Sequence, residues 1–450
     1  MSTDNPKTVS TRDLKRVLGF KELMSTSVGQ IIGAGIMSLM GIAIGMTGRS
    51  VPFAFLIAAF FSVISIIPLV IIAGTVRMRG GQYTMTALLA GKRFAGVFII
   101  LFIAMNVGIS MYALSFADYF LALFVPSIGR KTVAIAILVI FYLINMFGVD
   151  KMAKAQNLIV VVMVVALGLL AVFGVGKVDP EYLSGNLLPN GYKGLFSAAA
   201  LLTFATGGAF LIVNLSAEAK NPTRDIPLTI VVSTLGVALL YGFIAVVAAG
   251  VLPVETVAFK PLSLVADAVF PHYLYVFFMV CGAMFALIST LNAQLAWATK
   301  PILQACVDGW FPQWLAYLHP KYKTPMYLLT LFFLVGAIPV LTGLDIGALG
   351  TIAVIFTQIV FIIVNVALYR LPKILPEEWA KSKFRVSSGW MWLFIVVSVA
   401  GGILQIWLMA SDLDAGLLLG MAGLLVFSLV FSLWRYSTGK VDMEISYEAN

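Results

Sequence analysis

The sequence is poor in charge, in histidine and in cysteine. Asp, Glu, Lys and Arg make up 11% of its 450 residues, against roughly 25% in a typical soluble domain. This low charge excludes a water-soluble globular protein. The two cysteines, Cys281 and Cys306, show no metal-ligand spacing and indicate neither a disulfide framework nor a zinc site. The two histidines, His272 and His319, lie at segment edges and leave little material for catalysis by histidine.

Apolar residues are abundant instead, at 61% of the chain. At about 20 apolar residues per membrane-spanning helix, the sequence has room for roughly twelve spans and little else. Each apolar run is longer than a barrel strand and lacks strict alternation, so the predicted class is an all-α polytopic membrane protein. The twelve candidate spans are 23–46, 51–76, 94–123, 132–149, 157–175, 194–217, 226–251, 272–299, 326–342, 346–369, 390–410 and 415–434.

Positive charge is distributed unevenly between the two sides that these spans define. An even number of spans puts both termini on one side of the membrane. With the termini in the cytoplasm, the positive-inside rule is satisfied, and we predict a multi-pass plasma-membrane protein in that orientation. This topology also explains the net charge of +9, so no nucleic-acid partner is expected. Only six of the 29 basic residues then lie outside: Arg49, Arg130, Lys131, Lys177, Lys193 and Lys260.

Two segments between spans, about 80–91 and 303–318, are too short and too mixed in polarity to cross. We predict that they form interfacial helices on the cytoplasmic side. Trp310, Phe311 and Trp314 would give the second helix its membrane-facing edge.

Helix-breaking residues cluster near the middle of two spans, at 29–36 in span 1 and at 204–209 in span 6. A spanning helix is interrupted only where it faces protein or a water-filled cavity. Freed amides attract a carboxylate and freed carbonyls accept from an ammonium group, so a pair of breaks suits an α-amino acid or a related amine. The alternative is that the glycines only allow close helix packing, since Gly29 and Gly33 make a small-xxx-small pair.

Three stretches resemble the amino acid–polyamine–organocation (APC) family of permeases, which have the LeuT-type fold. The first is the Gly-small-Gly-Ile sequence at 33–36. The second, at 217–227, is similar to the family's Glu-x-x-Asn-Pro-x-Arg-x-x-Pro signature with one spacing adjustment. The third, at 308–312 and 319–325, is similar to the loop between helices 8 and 9. The resemblance covers essentially the whole chain.

The resemblance implies twelve helices, with an inverted 5+5 repeat in which helices 1 and 6 are broken, plus two C-terminal helices. No small-residue cleavage site follows the basic N-terminus, so we expect a retained tail. The implied division is a cytoplasmic N-terminal tail at 1–22, the two five-helix repeats at 23–175 and 194–369, helices 11 and 12 at 390–434, and a cytoplasmic C-terminal tail at 435–450.

The resemblance also implies where the substrate binds. Backbone at 33–35 would hold the carboxylate, and carbonyls near Ile31 and within 203–206 would hold the amine. Phe204 falls where some relatives place an aromatic gate, and the residues that follow the second break leave space beside the substrate. The implied substrate-binding residues are Ile31, Gly33, Ala34, Gly35, Thr203, Phe204, Thr206, Gly207 and Gly208.

A sodium site is implied by one absence and one match. Many relatives have a lysine in helix 5 that replaces a bound sodium ion, and Met163 falls at that position. The hydroxyl pair Ser289 and Thr290 matches the pair that ligates sodium in ion-coupled members of the wider fold. Hard oxygen ligands suit an alkali cation, although both hydroxyls could instead bond to their own helix. The implied ligands are the carbonyls of Gly29, Ile32 and Ala286 with the hydroxyls of Ser289 and Thr290.

Charge near the breaks favours a neutral substrate. The helix 6 position that is often acidic in the family is Phe210, so a cationic side chain would lack a counter-charge. Asp118 and Glu218 lie near span ends and are interpreted as interfacial charges. Five further side chains are candidates either for substrate contact or for hydrogen bonds between helices. They are Asn106, Tyr112, Asn292, Thr357 and Gln358.

These features predict a secondary active transporter of an amino acid, working by alternating access with Na⁺ as a coupling ion. Its expected partners are the substrate and the lipid bilayer, with no cofactor and no obligate protein partner. Ion-independent exchange and proton-coupled transport of an amine or polyamine remain open. A non-transporting receptor and an intramembrane transferase are the alternatives from other classes. An enzyme would need clustered His, Asp or Glu side chains at one membrane face, and the sequence has no such cluster, so we predict no enzyme activity.

Overall fold

The computed structural model describes residues 16–78, 80–124, 127–147, 151–179, 181, 185, 187–216, 218–443 and 447–448. For 151–156 and 447–448 only the path of the backbone is described. Residues 1–15 of the predicted N-terminal tail, Ala217 of the family signature and parts of the predicted C-terminal tail lie outside these residues.

Helices make up nearly all of the first half of the fold. Two irregular helical turns, a π turn at Gly35–Leu39 and a 3-10 turn at Gly208–Leu215, follow α1 and α9. The helices are α1 (Phe20–Ile31), α2 (Met40–Thr47), α3 (Val51–Ala73), α4 (Gly81–Leu89), α5 (Lys92–Met105), α6 (Gly108–Phe124), α7 (Arg130–Met146), α8 (Lys151–Val175), α9 (Gly191–Thr206) and α10 (Pro222–Gly250).

The second half continues in the same way. A π turn at Phe278–Met284 joins α13 to α14, and a two-residue strand pair completes the secondary structure. The helices are α11 (Val254–Val257), α12 (Ser263–Val269), α13 (His272–Phe277), α14 (Phe285–Val307), α15 (Met326–Thr342), α16 (Ile346–Ala367), α17 (Leu371–Ile374), α18 (Pro376–Lys381), α19 (Ser388–Ala410) and α20 (Ala415–Ser437). The strands are β1 (Arg77–Met78) and β2 (Tyr447–Glu448).

Within the described residues, nine stretches are long and apolar enough to cross a membrane. The first, Phe20–Ala73, contains two predicted spans and turns at Gly48, whose φ of 63° favours glycine. The helices α7 and α15, of 17 residues each, lie at two further predicted spans. The predicted class of polytopic helical membrane protein is therefore confirmed, while the twelve crossings and the inverted repeat stay predictions.

The interrupted helices lie inside the bundle and the last helix lies at its edge. Of the most apolar window in Gly191–Leu215, 78% is buried, against 17% for Ala415–Ser437. On α19 and α20, large apolar side chains such as Trp407 and Leu419 are exposed, as expected of a lipid-facing surface. The central position of the breaks places any site between them within reach of several helices.

Both ends of the described chain lie at the same end of the bundle. The Leu18 amide donates to the Glu218 carbonyl (3.0 Å), and the Lys220 amide donates to the Leu18 carbonyl (2.8 Å). Strand β2 pairs antiparallel with β1, and an Arg77 Nη2 donates to the Lys220 carbonyl (3.0 Å). The two tails therefore converge on the loops that follow α3 and the second break.

The two predicted interfacial segments differ from expectation. The first forms α4, but all of its residues are buried because it packs against α5, α14 and α16. In the second, α14 continues to Val307 and only Gln313–Ala316 forms a further helical turn. The prediction that Trp310 faces the membrane is wrong, because its ring is 1% exposed and packs against Phe431 (6.4 Å between ring centroids).

Candidate functional site

The two predicted breaks are present. Helix α1 ends at Ile31, and Ile32 is extended (φ −82°, ψ 105°), so the chain leaves the helix before the π turn that continues the crossing. Helix α9 ends at Thr206, and Gly207 separates it from the 3-10 turn that follows. Each interruption frees backbone groups from their helical partners deep inside the bundle.

The breaks pack directly against each other. A methyl group added at Gly35 would lie 2.4 Å from the Cα of Ala205. One added at Gly208 would lie 2.7 Å from the carbonyl oxygen of Gln30. Glycine is therefore required at both positions for close packing, in addition to its role in the break. The two interpretations of these glycines, interruption and close packing, hold together.

Backbone carbonyls converge on the hydroxyl of Thr290, at a place that we call the Thr290 corner. Thr290 Oγ1 lies 2.9 Å from the carbonyl oxygen of Gly29, 3.1 Å from that of Ile32 and 2.9 Å from that of Ala286. Four of the five predicted sodium-ligand atoms thus meet here, and the neighbouring Ser289 is buried as well. The contact to Ala286 is also the bond to its own helix that threonine commonly makes.

The Thr290 corner has more acceptors than donors. A hydroxyl carries one hydrogen, so Thr290 can donate to only one of the three carbonyls around it. Met163, where the family resemblance would place a lysine, is fully buried and uncharged. Carbonyl and hydroxyl oxygens are the ligands that a hard monovalent cation prefers, so this set of oxygens fits sodium.

A cavity of about 70 Å³ lies beside the second break. Seven of the residues named from the sequence line this cavity. Four lie at the second break, one in α6 and two in α16: Thr203, Phe204, Gly207 and Gly208, then Tyr112, then Thr357 and Gln358. In the described part of the chain, no acidic or basic side chain lines this cavity. Its wall is therefore uncharged, with a few polar groups among mostly apolar side chains.

The other predicted substrate residues lie elsewhere. Ile31 offers its carbonyl to the Tyr241 hydroxyl (3.2 Å), and the Thr206 hydroxyl pairs with that of Ser62 (2.7 Å). A methyl group at Gly33 would lie 3.0 Å from Thr290 Oγ1, so this residue belongs to the Thr290 corner. Ala34 and Gly35 are buried and do not line the cavity.

Phe204 and Tyr112 form an aromatic section of the cavity wall. Their ring centroids lie 6.2 Å apart, with the planes tilted by 36°. A methyl group at Gly108 would lie 3.1 Å from Phe204 Cζ, so α6 approaches the ring closely. Phe210, at the position that is often acidic in the family, also lines the cavity and packs edge-on against Phe361 (4.8 Å).

The remaining polar candidates form hydrogen bonds between or within helices. Asn292 accepts from Asn145 (2.9 Å) and lies away from the cavity. Thr357 donates to the Ala353 carbonyl of its own helix (2.7 Å). Gln358 donates to Gln405 (2.9 Å). The interpretation of these side chains as interhelical contacts is thus supported for Asn292 and Gln358.

The two acids singled out from the sequence have basic partners near helix ends. Asp118 forms a two-point ion pair with Arg130 (2.5 and 2.7 Å). Glu218 pairs with Lys300. Both carboxylates are part of ion pairs and neither lines the cavity, which agrees with their interpretation as interfacial charges.

Sequence reasoning missed several cavity residues, among them Gln30, Gln294 and Trp297. Gln30 lies in the last turn of α1, just before the first break, and Gln294 lies one helical turn after Thr290 on the same face of α14. A glutamine in an otherwise apolar span is costly unless it is paired or functional, and that is the signal that could have found the two glutamines.

Comparison with known proteins agrees with this geometry. The chain matches the family model described as amino acid permease over residues 18–416. The branched-chain amino acid permease BcaP of Bacillus subtilis is 27% identical over 82% of this chain and 84% of its own length. The methylthioribose transporter of Bacillus subtilis is 24% identical over 89% of each chain. An uncharacterized protein of Methanocaldococcus jannaschii is 26% identical over 66% of this chain and 70% of its own. The chain therefore belongs to the amino acid permease family, within the amino acid–polyamine–organocation permeases.

Proposed function

We propose that this protein is a sodium-coupled secondary transporter that carries a neutral amino acid across the plasma membrane by alternating access. The observation that carries the proposal is the uncharged cavity beside two helix breaks that touch each other. One relative is named a branched-chain amino acid permease, whereas two of Arabidopsis thaliana are named cationic amino acid transporters. The choice of a neutral substrate therefore rests on the uncharged cavity wall. The protein is a carrier and not an enzyme, with both termini in the cytoplasm.

The substrate ammonium group binds at the second break in this proposal. Thr203, Phe204 and Gly207 line the cavity, and carbonyls freed where α9 ends accept from an ammonium group. Phe204 closes the site as an aromatic gate against Tyr112. The absence of a carboxylate from the described cavity wall disfavours a cationic side chain, which would lack a counter-charge.

The substrate carboxylate requires a movement. The backbone at 33–35, which would bind it, is packed against Ala205 and Thr290 and does not line the cavity. These amides become accessible only when the outer part of the first interrupted helix separates from α9. In this proposal, the outer part of the first interrupted helix also moves relative to α9 during alternating access, in addition to the movement of both interrupted helices against the rest of the bundle.

Sodium would bind at the Thr290 corner. Carbonyls of Gly29, Ile32 and Ala286 with the hydroxyls of Ser289 and Thr290 would hold it, and the bound ion would supply positive charge beside the first break. In the structure, the Thr290 hydroxyl lies within hydrogen-bonding distance of all three carbonyl oxygens. Since Gly33 contacts Thr290, the corner can couple ion binding to the position of the carboxylate-binding backbone.

Uptake into proteoliposomes tests the proposal. Radiolabelled neutral amino acids should accumulate in an inward sodium gradient and much less in choline. The double variant Ser289→Ala with Thr290→Ala should lose at least tenfold of the sodium-driven rate. Thr299→Ala is the matched control, since that buried hydroxyl also bonds to its own helix, at the Ala296 carbonyl (3.0 Å), but lies outside both the corner and the cavity wall. Equal wild-type uptake in sodium and in choline would remove the sodium coupling and leave amino acid transport standing.

A lysine at position 163 gives a second test of the ion. Met163 is fully buried in α8, which packs against α1 and α14. In Met163→Lys, the ammonium should replace the ion, as in relatives that have a lysine there. We expect uptake that no longer responds to sodium. An unchanged sodium response in the folded variant would show that position 163 does not face the ion site.

Ion-independent exchange is the second candidate, favoured by the bond between Thr290 and its own helix carbonyl at Ala286. That bond is normal in a helix without any ion. Counterflow in sodium-free buffer distinguishes the two functions. An exchanger accelerates uptake severalfold when the vesicles contain unlabelled substrate, whereas a sodium symporter needs the gradient.

A further inference from the structure

Two buried glutamines face the cavity with one amide atom each that has no hydrogen-bond partner among the described residues. The atoms are Nε2 of Gln30 and Oε1 of Gln294. Their residues are 4% and 7% exposed, so bulk water does not satisfy them. An unpaired polar atom in such a place is costly, and two on one cavity wall indicate a polar occupant.

The orientation of the Gln30 amide is fixed by its neighbour. The indole nitrogen of Trp297 donates to Gln30 Oε1 (3.2 Å). An indole N–H can only donate, so the atom that faces it must be the amide oxygen. The NH₂ group of Gln30 is therefore the end that remains free, and it offers the cavity a donor.

The orientation of the Gln294 amide is fixed through two steps. Asn106 Nδ2 donates to the carbonyl of Phe102 (2.7 Å), and a carbonyl can only accept. Asn106 therefore turns its oxygen toward Gln294, whose Nε2 donates to it (3.0 Å). The oxygen of Gln294 is left free, and it offers the cavity an acceptor.

We propose that Gln30 and Gln294 select a substrate whose side chain carries a short, neutral group that both accepts and donates hydrogen bonds. This inference rests on the proposed function, in which the two breaks hold the charged ends of the amino acid. A carboxamide or a hydroxyl group matches both glutamines. A carboxylate would satisfy only Gln30, an ammonium only Gln294, and an apolar side chain neither.

The size of the cavity narrows the class. About 70 Å³ is the space of roughly five water molecules. Apolar side chains such as Ile66 and Val354 form other parts of the wall, so the polar group must be directed toward the two glutamines. Asparagine, serine and threonine fit these limits.

Isosteric amino acids test the inference. In proteoliposomes, asparagine is compared with leucine and threonine with valine, because each pair shares the backbone groups and nearly the same shape. The wild type should prefer the polar member at least tenfold in inhibition constant, since a site built for hydrogen bonds rejects the analogue that lacks them. Gln30→Met and Gln294→Met should bring both ratios to within about threefold of one.

Gln82→Met is the matched control. Gln82 is buried and its Oε1 has no hydrogen-bond partner among the described residues, but it does not line the cavity. Its variant should keep the wild-type ratios. If a cavity variant fails to fold, Trp297→Phe tests the same point, because it removes the N–H that orients Gln30 and leaves both glutamines in place. A fall of two- to fivefold in the ratios is expected.

The outcomes separate the two proposals. Wild-type transport with leucine and valine as effective as asparagine and threonine would overturn the selectivity and leave the proposed function standing, since water alone would then satisfy the glutamines. Ratios that stay unchanged in Gln30→Met and Gln294→Met would also overturn it. No uptake or exchange of any amino acid would instead overturn the proposed function.

Discussion

The Thr290 corner and the cavity both use residues at the end of α1, Gly29 and Gln30, yet their hydrogen-bonding needs differ. At the corner, one hydroxyl hydrogen serves three carbonyl oxygens, so acceptors are in excess. In the cavity, one donor of Gln30 and one acceptor of Gln294 are free, so neither kind is in excess. In our proposals, a cation would meet the first deficit and a neutral polar group the second.

The difference arises between adjacent residues. Gly29 contributes its carbonyl to the corner, and Gln30 contributes its side chain to the cavity. Successive residues in a helix point about 100° apart, so neighbours reach different partners. In our proposals, neighbouring residues of one helix would therefore contact the ion and the substrate side chain.

The largest effect is expected where both sites depend on one contact. In Gly35→Ala, the new methyl group would lie 2.4 Å from the backbone of Ala205 and would push the breaks apart. Transport should fall at least 100-fold, with both sodium response and selectivity lost. Gly168→Ala is the control, since a methyl group there meets nothing within 4 Å. Wild-type uptake by Gly35→Ala would show that the breaks need not touch.

The next largest effects are expected when each site is changed separately and both the sodium response and the selectivity are measured. Thr290→Val should reduce sodium-driven uptake at least tenfold but leave the ratio of asparagine to leucine inhibition unchanged. Gln30→Met should change that ratio at least threefold but leave the half-saturating sodium concentration within twofold. The measurement is a sodium titration of uptake combined with the isosteric panel. Equal effects of both variants on both readouts would show that the corner and the cavity act as a single site.

A smaller change is expected for Gly33→Ala, which crowds the Thr290 corner and also touches the cavity wall at Tyr112. Its methyl group would lie 3.0 Å from Thr290 Oγ1 and 3.1 Å from Tyr112 Cε1, so both neighbours must shift by a few tenths of an ångström. The half-saturating sodium concentration should rise about three- to tenfold, while the selectivity ratios should change less than that concentration. A loss of selectivity without a sodium effect would contradict the assignment of Gly33 to the corner.

The smallest effect is expected from a cavity hydroxyl that already has a partner. Ser62 lines the cavity and pairs with the Thr206 hydroxyl (2.7 Å). Ser62→Ala should lower the free energy of unfolding by about 1 kcal/mol, because one buried hydrogen bond is lost. Thermal melting measures that loss. The selectivity ratios should stay within twofold of the wild-type values. A larger change would mean that hydrogen-bonded groups on the wall also contribute to substrate selectivity.

Sequence patterns located the breaks well because a glycine cluster in the middle of a long apolar run weakens the helix at that point, whatever packs around it. They also grouped most of the atoms of the Thr290 corner, through a resemblance that fixes spacing along two helices. The same reasoning failed for Trp310, whose burial depends on Phe431, more than a hundred residues away. Nor could it show that Gly35, implied to bind the carboxylate, is packed against Ala205.

By itself, the sequence determined that this chain is a helical membrane protein with two interrupted helices. Those properties follow from composition and local backbone chemistry, which act over a few residues. Only the tertiary structure decided which polar groups meet. Whether Gln30 and Gln294 are satisfied depends on Trp297 and Asn106, and those partners are set by how helices far apart in the chain pack. The proposed selectivity therefore depends on tertiary packing, because packing decides which side-chain atoms have a hydrogen-bond partner and which do not.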